Sequence, residues 1–294
     1  VQVTLVVNPF ATRVTEERLE QVRDELARVA ELDVVLTERP GHATELVAAA
    51  VRSGADAIVV FSGDGGFNEA LNGLERDVPI GFLPGGGTSV LPRALGLSRD
   101  SVSASRQVAD ALAAGRTRRI TVGRVNGRRF GFSSGIGLPA EIVRLVDAQG
   151  RGGDGKRPGD LSFVAAALRA IAAEGGRLEP QLEIAGLGRA AAAFVANGRP
   201  YTYAENVPLP IAPEADFEHG IDLVAPQRVT RAGLVPTVAR VLAGRWRGSI
   251  YGHDLDRIEI RCDVPLPLHV DGEDVGDVEG ALFEAERAAV SVLA

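Results

Sequence analysis

The sequence predicts an α/β protein of two domains, an N-terminal α/β domain with a parallel sheet over residues 1–117 and a β-rich, mainly antiparallel domain over 118–294. Three observations predict it. Up to Gly115, short apolar runs alternate with stretches of helical period, the pattern of parallel strands covered by helices on both faces. After Arg118 the runs alternate at period two and are punctuated by turn pairs such as Asn126–Gly127. Strand exits in the first half are small and polar, as at the ligand-bearing edge of an open α/β sheet.

In order, VQVTLVV is a buried strand ending in the turn NPFAT. Thr15, Glu16 and Glu17 open a helix that places Leu19, Val22, Leu26 and Val29 on one face. DVVLTE is a short strand, and Ala43 to Arg52 is a second helix with Leu46, Val47, Ala50 and Val51 inward. The run from Ala57 to Phe61 is a strand buried on both faces, followed by Ser62-Gly63-Asp64-Gly65-Gly66 and a helix expected to begin near Phe67. VPIGFLP is the fourth strand, PGGGTSVLPRALGL a second glycine turn running into a helix, and Ser98 to Gly115 the last helix of the set. In the second half, ITVGRVNGRRFGFSS reads as a hairpin, and QLEIAG, AAAFVANG, GIDLVA, DRIEIRC and LPLHVDG read as short strands. Helices are expected over Leu161–Glu174 and Thr230–Ala243, with a surface loop RGGDGKRPG between Gly150 and Gly159. The last strand is able to return to the first domain, and no internal repeat is present.

Of the residues, 45% are hydrophobic and 24% charged, material for a globular core. A net charge of −7 argues against a nucleic-acid partner. Cys262 is the single cysteine, which excludes intrachain disulfides and cysteine-cluster zinc sites. No apolar run approaches the ~20 residues that span a bilayer, and the opening strand has no signal-peptide pattern. A cytoplasmic protein, peripheral at most at the inner membrane face, is the expectation. Lys156 is the only lysine and no GxxxxGK[ST] sequence occurs, so a nucleotide would bind without a P-loop lysine.

The segment from Val59 to Leu74 concentrates the chemistry. Glycines let the backbone turn sharply and its amides converge on an anion, and the positive end of the next helix faces the same spot. Asp64 inside such a turn would repel polyphosphate unless Mg²⁺ intervenes or the carboxylate faces the attacking group. An Asp that merely caps the helix explains the five residues equally well. Taken together, NPFAT, Thr37, SGDGG and PGGGT on one sheet edge favour a ligand site.

With these residues in hand, the sequence resembles the diacylglycerol kinase catalytic-domain superfamily, which includes bacterial lipid kinases, sphingosine kinases and, more distantly, NAD kinases. NPFAT is similar to its NPxSG turn, SGDGGFNEALNG to GGDGTxNExxNG and PGGGTSVLPRALGL to PxGTxNxxARxLG. SSGIGLPAEIV resembles GxGxDAxxV, APEADFEHGIDLV resembles PxAxxxDGxLDxV, and HVDGEDV resembles the C-terminal VDGE. The resemblance implies an NAD kinase-like first domain, a β-sandwich second domain and ATP-dependent phosphorylation of a lipid hydroxyl. By position, Asn8, Pro9, Phe10, Ala11, Thr12, Thr37, Ser62, Gly63, Gly65, Gly66, Phe67, Asn68, Gly86, Gly87 and Thr88 would surround ATP. Asp64 and Glu273 would be the acids at the chemistry, with Mg²⁺ neutralising charge. The family places the proton acceptor on the VDGE glutamate in bacterial members and on the GDG aspartate in sphingosine kinases; Glu273 ranks second here because Asp-Gly-Glu is also ordinary turn sequence. Glu69, expected on the first helical turn, could reach a metal through water or be a simple helix acid.

Departures are specific. Gly66 and Gly87 stand where the family has threonine, Ser89 where it has asparagine and Pro139 where it has aspartate. His219 replaces an Asp of a second-domain acidic motif where some bacterial members hold a structural Mg²⁺. Asp216 and His219 remain candidate metal ligands, against the preference of imidazole for softer metals. A stripe of Leu161, Val164, Leu168 and Ile171 and a basic segment of Val238, Arg240, Val241, Leu242, Arg245, Trp246 and Arg247 suit transient contact with a membrane surface, and core packing explains both too. The expected partner is a lipid alcohol, and a homodimer is open. Two alternatives stand beside the lipid kinase: an NAD kinase, and a silent nucleotide- or lipid-binding regulator.

Overall fold

The structure is a computed structural model that describes residues 1–148, 169–170, 172, 175, 177–204, 207–209, 211–230, 232–233 and 248–294. The loop expected between 150 and 159, nearly all of both helices expected at 161–174 and 230–243, and the apolar and basic residues singled out there lie outside the described residues. The chain forms two compact units, Val1–Thr121 with Ala288–Ala294, and Val122–Arg287.

The first unit alternates strand and helix: β1 (Gln2–Val7), α1 (Glu16–Ala27), β2 (Glu31–Leu36), α2 (His42–Ser53), β3 (Ala57–Ser62), α3 (Asp64–Gly73), β4 (Ile80–Pro84), α4 (Val90–Ala94) and α5 (Ser101–Ala113). β1 pairs in parallel with β2 and β3, and β3 with β4, as the uninterrupted burial of β3 and β4 requires. Leu5, Val7, Val59, Phe61 and Leu83 from the strands meet Val22, Leu26 and Val108 from the helices in one core. Caps set the helix starts. Thr15 Oγ1 accepts from Arg18 N at 3.2 Å in α1. Asp100 accepts from Ser103 N at 2.9 Å, so α5 begins at Ser101 and not at Ser98. α3 likewise begins at Asp64, three residues before the expected Phe67, with Gly63 in the cap position.

The second unit is mainly antiparallel. Its elements are β5 (Arg118–Val125, begun in the first unit), β6 (Arg128–Phe130), β7 (Ser133–Ile136), α6 (Leu138–Ala148), β8 (Arg177–Leu178), β9 (Leu182–Ile184), β10 (Gly188–Ala190) and β11 (Ala193–Ala196). These are followed by β12 (Thr202–Ala204), β13 (Val207–Leu209), β14 (Ile221–Pro226), β15 (Val229–Thr230), β16 (Ser249–Leu255), β17 (Arg257–Val270) and β18 (Glu273–Val292). Asn126 and Gly127 have φ of 48° and 88°, the two left-handed residues of a type I′ hairpin joining β5 to β6. Asp271 and Gly272, at 48° and 79°, do the same between β17 and β18. DRIEIRC and LPLHVDG, expected as separate strands, form the single strand β17 with a register shift between Arg261 and Leu266. Thr230 ends β15. The last residues of β18 belong to the first unit, where Val292 pairs with Ile80. Phe130 and Phe283 meet edge to face at 6.3 Å inside a core that includes Ile136, Leu182, Leu223 and Ile260.

Candidate active site

Strand register brings the first unit's polar turns to one level. Val7 pairs with Leu36 and Phe61, Phe61 with Leu83 and Ser62 with Pro84, so NPFAT, Thr37, SGDGG and PGGGT leave adjacent strands at the same edge. Asn8 Oδ1 accepts from Phe10 N at 2.9 Å, an Asx turn that leaves the Phe10 ring 70% exposed. Arg13 N donates to Gly85 O at 2.8 Å, tying this turn to the one after β4. Pro9 and Thr12 are exposed, and Thr37 is buried with its amide on Val7 O at 2.8 Å.

The two glycine turns pack backbone to backbone. Gly85 N donates to Ser62 O at 2.7 Å, and a Cβ added at Gly86 would stand 2.9 Å from Gly63 Cα. A Cβ at Gly66 would stand 2.1 Å from Ser62 Oγ, a buried hydroxyl with no partner among the described residues. Gly66 in place of threonine therefore accommodates Ser62, whereas a Cβ at Gly87 meets nothing within 4 Å. Gly87 and Thr88 are exposed at the tip of the second turn. Phe67 and Asn68 face inward at 1% exposure each, the Phe67 ring edge-on to Phe82 at 5.3 Å.

Two carboxylates cap helices other than their own. Asp64 stands first in α3, yet its Oδ1 accepts from Val90 N at 2.7 Å and Leu91 N at 3.3 Å, the opening amides of α4. Gly63 gives α3 no side-chain cap, and the first turn of a helix presents its backbone amides as anion donors. Glu69 lies in the second turn of α3, not the first, and its two oxygens accept from Gly41 N at 2.8 Å and Ala43 N at 3.1 Å where α2 begins.

In the second unit Glu273 opens β18, and its Oε2 accepts from Arg128 Nη2 at 2.9 Å. The turn before it is fixed by Asp271, whose buried carboxylate accepts from the amides of Gly131, Phe132 and Ser133 at 2.7, 2.9 and 3.1 Å. Arg144 of α6 holds Asp274 and Asp277 on the other side. These salt bridges hold the Asp274 carboxyl below its usual range. Beneath, Tyr201 OH lies 2.8 Å from His269 Nε2, and burial pushes the imidazole down to about 4. Of these, sequence reasoning singled out Glu273 and missed Arg128, Arg144 and Asp271; the Asp-Gly turn signal was present, its partners were not adjacent in the chain.

Asp216 and His219 sit in one turn, where Asp216 Oδ1 accepts from Glu218 N at 3.1 Å and the exposed His219 ring meets His253 edge-on at 5.5 Å. His253 Nδ1 in turn lies 2.9 Å from the fully buried Asp222. No group of three or more His, Cys, Asp or Glu arranged to hold a metal occurs among the described residues. The glycine cradle and the uncapped start of α3 fit the phosphates of a nucleotide. Mg²⁺ binds through such phosphates with one or two carboxylates, a demand that needs no dedicated cage.

Residues 2–125 match the diacylglycerol kinase catalytic domain family. A Streptococcus pneumoniae protein named "Putative lipid kinase" is 30% identical over 159 residues, 53% of this chain and 51% of that protein, so the match spans about half the length of the curated relative. A crystal structure of a diacylglycerol kinase from Bacillus anthracis superposes with a TM-score of 0.76 at 22% identity, covering 99% of this chain and 96% of the other. An NAD kinase from Archaeoglobus fulgidus in complex with ATP superposes at 0.53 with 13% identity, over 99% and 93%. At these identities the two structures show the fold alone.

Proposed function

We propose, because residues 2–125 match the diacylglycerol kinase catalytic domain family model, that the protein is an ATP-dependent lipid kinase acting on a hydroxyl of a diacylglycerol- or sphingoid-like lipid. The observation that carries this reading is the pair of glycine turns packed together beside the uncapped start of α3. Gly63, Gly65, Gly66, Gly86 and Gly87, with Ser62 and Thr88, are assigned to the phosphates, and the segment Asn8 to Thr12 and Thr37 to the rest of the nucleotide. Phe67 and Asn68 support that site from the interior, because their side chains are buried.

ATP with Mg²⁺ supplies the phosphoryl group and the cation that neutralises it. The chain's own work is positioning and proton acceptance. Oδ1 of Asp64 is already engaged by two amides of α4, so Asp64 is assigned to aligning the glycine turns and Glu273 to accepting the hydroxyl proton. Access to the lipid at a membrane surface belongs to the same reading; among the described residues no helix is long and apolar enough to cross a membrane.

The test is ADP release on adding diacylglycerol, a sphingoid base or NAD in parallel, with and without Mg²⁺. Mg²⁺-dependent release with a lipid alcohol is expected. Release with NAD alone would make the protein an NAD kinase, and tight ATP binding without turnover on any lipid would make it a regulator.

A further inference from the structure

Glu273 and Arg128 are each the first residue after a two-residue type I′ turn, Asp271–Gly272 and Asn126–Gly127, and these turns bring the two side chains into a pair at 2.9 Å. The pair holds only one oxygen of the carboxylate: Oε2 is on Arg128, and Oε1 takes no hydrogen bond among the described residues. Both side chains are accessible, at 37% and 40% exposure. A pair this exposed adds little to stability. It does remove rotamer freedom from a glutamate whose backbone is already fixed by Asp271 on three amides and by Arg144 on Asp274. A proton acceptor has to lie within hydrogen-bond reach of the proton it takes, and a side chain loose by about 1 Å can cost about 100-fold in rate.

We infer that Arg128 is a positioning residue for phosphoryl transfer, holding one oxygen of Glu273 so that the other meets the acceptor hydroxyl of the lipid. The inference rests on the proposed kinase reading. In the step it serves, the hydroxyl proton passes to Glu273 Oε1 and the hydroxyl oxygen bonds to the terminal phosphorus of ATP. The bond from that phosphorus to the bridging oxygen breaks, and ADP leaves with the electron pair.

The experiment measures kcat, both KM values and thermal melting for Arg128→Gln, Arg128→Lys, Glu273→Gln and the double variant Arg128→Gln/Glu273→Gln. Arg261→Gln, at a side chain 76% exposed elsewhere in the same unit, is the charge control. Arg128→Gln is expected to lower kcat by about 10- to 100-fold with the KM for ATP and the melting temperature unchanged. Arg128→Lys should recover part of the loss, and Arg128→Gln should cost nothing further once Glu273 is Gln. Wild-type kcat in Arg128→Gln, or an equal loss on the Glu273→Gln background, overturns the inference and leaves the kinase reading standing. Full turnover in Glu273→Gln overturns the proton-acceptor assignment and this inference with it, and no turnover by the wild type on any lipid overturns both together with the kinase reading.

Discussion

Asp64 is the residue on which substitution separates two physical roles. Its Oδ1 satisfies Val90 N and Leu91 N, donors that α4 cannot satisfy itself because Ser89, at φ 47°, gives it no side-chain cap. Asparagine keeps an oxygen in that position and loses the charge; alanine loses both. Removing such a cap costs about 1 kcal/mol, so Asp64→Ala should melt measurably lower and bind nucleotide more weakly, while Asp64→Asn stays close to wild type in both. ADP release then completes the assignment: a capping role leaves Asp64→Asn within about tenfold of wild type, whereas a fall of about 10²-fold or more, of the size that loss of a general base produces, at unchanged melting would return Asp64 to the chemistry.

At the scale of elements, helices α2 and α3 depend on each other through Glu69. Gly41, at φ 81°, has no side chain with which to cap α2, and Glu69 supplies both oxygens from the neighbouring helix while Thr44 Oγ1 donates back to Glu69 O at 2.9 Å. Gly73 lets the helices touch, since a Cβ there would stand 2.5 Å from Thr44 O. Glu69→Ala should therefore destabilise the protein in chemical denaturation by about 1–2 kcal/mol, and Glu69→Gln, which retains one acceptor, by less. The same residue marks the limit of what the sequence reveals. Buried strands, helix periods and the Asn-Gly turn depend on neighbours in the chain and were legible. A cap donated from Glu69 to Gly41, or from Asp64 to Val90, joins residues distant in sequence, so both acids read as belonging to their own helix and α3 was expected to start late. α6 is not among the expected helices; it carries Pro139 in its first turn, where proline is tolerated. β18 is the last strand and its end returns to the first unit, although its run of Ala, Glu and Gly has low strand propensity and is held by pairing with β17.

For the molecule as a whole, two histidines of the second unit act on stability with opposite sign. His269 is 2% exposed, with Nε2 on Tyr201 OH and Nδ1 without a partner among the described residues. Tyr201 OH also lies 3.3 Å from Ser134 O, so donation from His269 Nε2–H to the phenol and from the phenol to Ser134 leaves Nδ1 a bare acceptor, which no added proton can satisfy. Burial pushes this imidazole down to about 4 from an ordinary 6.5, so the unfolded chain takes up the proton first as pH falls. Its contribution is fully present above pH ~6.5 and is lost on acidification toward pH ~4, on the order of 3 kcal/mol over that window. His253 runs the other way: its hydrogen bond to Asp222 raises its pKa, so its contribution is present below the unfolded value and is lost as pH rises through the raised one. Urea denaturation at pH 7.5 and pH 4.5 separates them. The wild type should lose stability between the two, and His269→Gln should lose less because it carries no group to protonate. His253→Gln should lose more, since the histidine it lacks opposes the trend. Equal pH slopes in wild type and His269→Gln would show that acid sensitivity arises in the carboxylate pairs, such as Arg144 with Asp274 and Asp277.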